Sequence, residues 1–141
     1  MPYLSFRIAR QWYGIHVDNV IEVMQMVYLS DMPAAAPDVL GVMNLREKVV
    51  PVIDLRIRFG ITNPVLGLNT PIIGVNTPHG PVGLVVDDVD DVRPISPETL
   101  QPDRESPYVT HVATLDDRLL MLIDTAHLYQ VQTSVHTDLS S

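Results

Sequence analysis

Apolar residues recur along this chain in short runs, many alternating with polar positions, and Pro, Gly, Asn or Asp closes nearly every run. Period-two patterning broken at such intervals marks strands joined by tight turns. Residues 3–8 alternate and predict a strand, followed by a turn near Arg10-Gln11 and a second strand over 12–17. Asp18 has the chemistry of an N-cap and would open a short helix carrying Val20, Ile21 and Met24. Residues 26–30 read as extended and 32–38 as a Pro-punctuated loop. Residues 39–45 and 48–53 predict a hairpin closed by Arg46-Glu47, after which Asp54 caps one helical turn, 55–59, stopped by Gly60.

The rest of the chain follows the same plan. Strands are predicted at 71–76 and 82–86, around a turn at 77–81, and 89–95 is extended. Ser96-Pro97-Glu98 has the cap-then-Pro form of a short helix start. Residues 108–115 and 118–123 make a further hairpin, and Asp124 caps 125–129. From Ser134 onward the chain is polar, and 134–141 reads as a frayed tail.

The two series are related in sequence. Moved by 70 positions, Val42 meets Val112, Leu45 meets Leu115, Lys48 meets Arg118, and Ile53-Asp54 meets Ile123-Asp124. Moved by 69, Gly14-Ile15 meets Gly83-Leu84, and residues 17–23 lie over 86–92. Residues 1–133 therefore predict one all-β domain of two intertwined, five-stranded barrel subdomains packed side by side, with a few short helical turns. What the copies share belongs to the fold. Asn44, Arg46 and Pro51 occur in only one copy, and function is expected there.

A chain of 141 residues buries roughly two-thirds of its unfolded surface. No apolar run approaches the ~20 residues of a membrane span, and no basic-then-apolar leader opens the sequence. Cysteine is absent, which removes disulfides, thiolate nucleophiles and Cys-based zinc sites. A cytoplasmic protein is expected. Residues 1–70 carry six basic and six acidic side chains, whereas 71–141 carry three and eleven, the whole of the net charge of −8. Such a surface repels phosphate backbones and anionic lipid, so nucleic acid and direct membrane insertion are not expected. Arg46, Lys48, Arg56 and Arg58 form a local basic cluster fit for an acidic or mixed-charge protein partner, with Arg56 and Arg58 read as solvated loop charges.

Phe6, Tyr13-Gly14-Ile15, residues 20–23, residues 33–37, Gly41-Val42-Met43-Asn44-Leu45-Arg46, Val50-Pro51-Val52-Ile53-Asp54-Leu55-Arg56, Gly83-Leu84-Val85-Val86-Asp87 and residues 120–124 together resemble the CheW family, from about Tyr3 to Tyr129. The resemblance implies two SH3-like β-barrel subdomains, in agreement with the repeat. It also implies a non-enzymatic adaptor of chemotaxis signal transduction, a two-component system, with two partners: a chemoreceptor cytoplasmic tip and the regulatory domain of a CheA-type histidine kinase. A related adaptor controlling type IV pili or gliding motility is the alternative. Carried over by position, the receptor groove involves Val20, Glu22, Gly41, Arg46 and Val49. Val20 and Val49 serve equally well as core residues, because their repeat partners Val89 and Leu119 are also apolar. Arg46 faces Asp116 in the repeat, and a change of sign argues against a shared structural duty. Glu47 stands where the family usually has Gly, a costly choice if the turn requires positive φ.

Other chemistry is weakly supported. Asp87-Asp88-Val89-Asp90-Asp91 lacks the Gly that a calcium loop needs at its sixth position and reads as a solvated turn. The five histidines form no metal-binding pair, and no Gly-x-Ser-x-Gly or phosphate-binding glycine loop occurs. Asp54 and Asp124 stand directly before helical turns and read as caps rather than paired catalytic carboxylates. Trp12 and Tyr13 are expected to cover one end of the first barrel. Neither a cofactor, a metal nor an active site is expected.

Overall fold

A computed structural model describes residues 1–32, 36–103, 106–116 and 118–128. The expectations for residues 33–35, Asp117, Tyr129 and the polar tail fall outside these residues. Strands β1 (Pro2–Ile8) and β2 (Gln11–His16) form a hairpin, followed by β3 (Val20–Gln25). A second hairpin, β4 (Val39–Leu45) and β5 (Lys48–Asp54), leads into the single turn α1 (Leu55–Arg58). Then come β6 (Pro71–Thr77), β7 (Gly80–Val85), β8 (Asp88–Pro94), the two-residue β9 (Gln101–Pro102), β10 (Val109–Leu115) and β11 (Arg118–Ile123). Residues 125–128 form a last helical turn.

The strands make two sheets, in the orders β8-β1-β2-β11-β10-β9 and β3-β6-β7-β5-β4. Neither sheet belongs to one half of the chain. The β1–β2 hairpin lies between β8 and β11, and the β6–β7 hairpin lies between β3 and β5, so the halves have exchanged hairpins. Each exchange leaves one parallel seam: Leu120 to Ile123 run beside Trp12 to Ile15, and Val52 to Asp54 beside Gly83 to Val85. The repeat extends to irregularities, because the register slips between Val39 and Gly41 and again between Val109 and His111, 70 residues on.

Burial follows this layout. Met43, Leu45, Val50, Val52, Ile72 and Val85 pack inside the five-stranded sheet, and Ile95, Ala113, Leu120 and Leu122 inside the six-stranded one. The largest cluster draws Phe6 and Ile15 from one sheet and Ile73, Val75 and Leu84 from the other, so it cements the two together. Each such side chain contributes about 1.5–3 kcal/mol by leaving water.

Four expectations change. Residues 18–24 do not form one helix: only the single 3-10 turn Val17–Asn19 is helical, and Val20–Gln25 is strand. Val20, Ile21 and Val23 are β-branched, and Val20 and Val23 pair with β6 on either side of a bulge at Ile21, which outweighs a helical spacing. The cap is His16, whose Nδ1 accepts the Asp18 amide at 3.1 Å. Second, the larger sheet has six strands, because Gln101–Pro102 adds a short edge where a Pro costs no ladder bond. Third, Trp12 packs with second-half residues: it lies on the Ile95 cluster with the Arg118 guanidinium 4.2 Å from its ring centre, whereas Tyr13 stacks on Phe6 and meets Phe59. Fourth, Arg56 is buried and Arg58 half-buried with its side chain almost covered, rather than solvated, since Arg56 meets Asp54 and the distant Asp87, and Arg58 meets Asp38.

Candidate interaction site around Arg46

The β4–β5 turn is two residues long, and both are left-handed: Arg46 has φ 49° and Glu47 φ 71°. Successive positive φ values twist the hairpin as a I′ turn does, and Gly or Asn is the ordinary choice there. This conformation lifts the Arg46 side chain off the end of the hairpin toward β3, the opposite edge strand of the same sheet. Its Nη2 donates to the Ile21 carbonyl at 3.0 Å, and its Nε lies 3.5 Å from Glu22 Oε1. The Arg46 side chain remains 65% exposed. It is thus held in place by the fold and still open to a partner.

The equivalent turn of the other sheet has a bridge of reversed polarity. Asp116, φ 54°, lies 3.9 Å from Arg93 on β8, the strand that corresponds to β3. A turn-to-strand ion pair is therefore a duty common to both halves, contrary to the expectation drawn from the change of sign. Exposed pairs of this kind contribute only about 0–1 kcal/mol.

The other expected groove residues have distinct environments. Glu22 is exposed beside Arg46, whereas Val20 is half-buried against the large core cluster. Val49 is 74% exposed on the β5 face opposite to Val50 and Val52, so core packing does not account for it. Gly41 is buried at the far end of β4, where a Cβ would collide with the Ser30 carbonyl oxygen. That close approach lets Ser30 pair with Val42 through hydrogen bonds of 3.0 and 2.8 Å. Arg46 and Glu22 are thus directly in contact, and Gly41 has a backbone duty.

A hollow of about 230 Å³ opens beneath Arg46, walled by Ile21, Leu45, Arg46, Lys48, Asn76 and Pro81. Asn76 and Pro81 are cross-strand partners at the end of the β6–β7 hairpin, as Leu45 and Lys48 are at the end of β4–β5. Sequence reasoning placed Lys48 in the basic cluster but had no signal for Asn76 or Pro81. A second hollow, about 350 Å³, lies across the molecule against Tyr13, Phe59 and Tyr108.

At the other end of β5 the fold is fixed by charge. Arg56 donates to both Asp54 oxygens, to Asp87 Oδ1 and to the Val65 carbonyl, all at 3.0–3.1 Å. Burial opposes its charge, but the hydrogen bonds and charges of Asp54 and Asp87 more than offset this and raise its pKa above the ordinary value. Asp87 Oδ2 also accepts the Ala9 amide at 2.7 Å, tying α1 to the β1–β2 turn. Arg58 binds Asp38 and donates to the Leu128 carbonyl at 3.0 Å. Among the described residues no His/Cys/Asp/Glu group is arranged to hold a metal ion, and no helix is long and apolar enough to cross a membrane.

The sequence profile of the CheW-like domain matches residues 2–133. A probable chemotaxis protein CheW of Rhizobium etli is 30% identical over 132 residues, spanning 89% of this chain and 85% of the relative. The chemotaxis protein CheW of Klebsiella aerogenes is 32% identical, spanning 89% and 80%. The crystal structure of the scaffolding protein TtCheW from Thermoanaerobacter tengcongensis superposes with a TM-score of 0.85 at 30% identity, covering 92% of each chain. The exchanged hairpins, the two curled sheets and these likenesses agree: the chain belongs to the CheW-like domain family, the non-enzymatic adaptors of chemotaxis signalling.

Proposed function

We propose that this chain couples the cytoplasmic tips of chemoreceptors to a CheA-type histidine kinase, working in the cytoplasm as one unit of two intertwined barrels. The reading is carried by an exposed arginine that the fold itself orients, in a chain similar to a scaffolding protein over nearly its full length. A receptor tip is a helical hairpin. Val49 and the exposed edge of β3 supply apolar area to it, while Arg46 supplies directional hydrogen bonds to a carboxylate or a helix-end carbonyl. Val20 and Gly41 act from beneath, by shaping β3 and β4. The kinase does the chemistry, and the adaptor shifts its activity by holding it beside receptors.

The test is a calorimetric titration of this chain into the regulatory domain of a CheA-type kinase from the same genome. Saturable binding near one-to-one is expected. Absence of binding up to high micromolar concentration would keep the fold and move the function to another pathway, such as pilus or gliding control.

A further inference from the structure

The hollow beneath Arg46 has a composition that specifies its occupant. Its two charged walls, Arg46 and Lys48, are both cationic, and Asn76 adds an amide, whereas Ile21, Leu45 and Pro81 are apolar. Among the described residues no anionic side chain lines it; Glu22 meets Arg46 from the side, at Nε. On a chain of net charge −8, a concave spot with only positive charge in its walls is complementary to one negative group. The apolar walls add a second requirement, an aliphatic stem behind that group. A volume of about 230 Å³ suits one side chain rather than a cofactor or a nucleotide.

We propose that this hollow is a socket for a single glutamate side chain projecting from the helical partner, with its methylenes against Ile21, Leu45 and Pro81. Arg46 and Lys48 share its carboxylate. The inference rests on the receptor-tip reading above and adds the chemistry of the contact. It also assigns Lys48 and Asn76 as specificity residues. Glu22 competes with the incoming carboxylate for Arg46, so it favours a partner that brings its charge on the Lys48 side. Lys48 is the only lysine in the 141 residues, so a cross-link through a side-chain amine of this chain can come only from it.

The experiment uses the full chain and the cytoplasmic signalling fragment of a chemoreceptor from the same genome. Binding is measured for the unmodified chain, Lys48→Met, which keeps the stem, and Lys48→Glu; the complex is then treated with a carbodiimide, which joins an amine to a carboxylate in contact with it. Lys48 is exposed, so both variants are expected to fold, and circular dichroism checks this. The expected result is a roughly tenfold weakening for Lys48→Glu, a smaller loss for Lys48→Met, and one cross-link from Lys48 to one tip glutamate. Exchanging that glutamate for lysine should restore binding to Lys48→Glu. A complex that forms normally, with unchanged affinity in both variants and no Lys48 cross-link, overturns the socket and leaves the receptor reading standing. Failure of the unmodified chain to bind overturns the receptor reading, and the socket with it. Loss of affinity caused equally by inorganic phosphate and by a glutamate peptide would show an unselective anion site and likewise overturn the assignment.

Discussion

Arg56 meets Asp54 as a planar fork, Nε to Oδ1 and Nη2 to Oδ2, both at 3.0 Å, with the two side chains 3% and 1% exposed. Two parallel charge-assisted bonds in a dry setting are strong only while both partners are present. Arg56→Met should therefore cost about 3–5 kcal/mol by leaving Asp54 without its counter-charge. A urea transition would show this as a lower midpoint with little change in slope. A loss below about 1 kcal/mol would mean that the pair is a surface contact in energetic terms.

Gly41 separates a structural effect from a binding effect. Gly41→Ala places a Cβ against the backbone of Ser30, which cannot rotate away, and should cost about 1–3 kcal/mol. Thermal unfolding checks the stability, and receptor binding is compared below the transition. Unchanged stability with weakened binding would instead make Gly41 a contact residue.

Glu47 lies in the left-handed region at φ 71°. Glu47→Gly removes that strain and should raise stability by about 0.5–1 kcal/mol, offset in part by a more flexible unfolded chain. A differential scan should show a small rise in melting temperature; a fall would mean that the carboxylate has a stabilising partner.

Exchanging the charges of the Arg46–Glu22 pair tests its two roles together. The other barrel already uses the reversed polarity, Asp116 with Arg93, so Arg46→Glu combined with Glu22→Arg should melt within about 1 kcal/mol of the original. Receptor binding should be lost, because the open cation at the turn has become an anion. Retained binding would show that Arg46 serves the fold alone.

Two tyrosines carry a pH signature. Burial raises Tyr13, and burial with the nearby charge of Asp124 raises Tyr3, so both hold their protons past the ordinary tyrosine range. The folded pKa exceeds the unfolded one. Their contribution is therefore complete below about pH 10 and is lost as pH rises through the folded values. Ultraviolet titration of tyrosinate should show a late-ionising class, diminished in Tyr13→Phe, and melting temperature should fall above about pH 10.

Features decided by local chemistry were legible in the sequence. Asp54 and Asp124 accept the Arg56 and Ala126 amides at 3.0 and 2.9 Å, as their places before helical turns implied. The β4–β5 and β10–β11 hairpins were equally plain. What misled was distance along the chain. Arg56 finds Asp87 across 31 residues and Arg58 finds Leu128 across 70, and no window around either arginine shows that its charge will be buried. The site divides in the same way. Arg46, Glu22 and Val49 could be named from motif positions, but the bridge between Arg46 and β3 and the Asn76–Pro81 wall are products of closure of the sheet.

The exchanged hairpins bear on how such a chain arises and assembles. A lone unit of about seventy residues would have an empty slot between its third strand and its last hairpin, with unpaired edges on both sides. Two copies, each lending its first hairpin to the other, fill both slots at once, as in a domain-swapped dimer. The strand order of the present chain is that of such a dimer joined end to end. Cutting it in the segment between α1 and β6 should yield two fragments that remain unfolded apart and regain structure only when mixed, a simple reconstitution assay for the whole architecture.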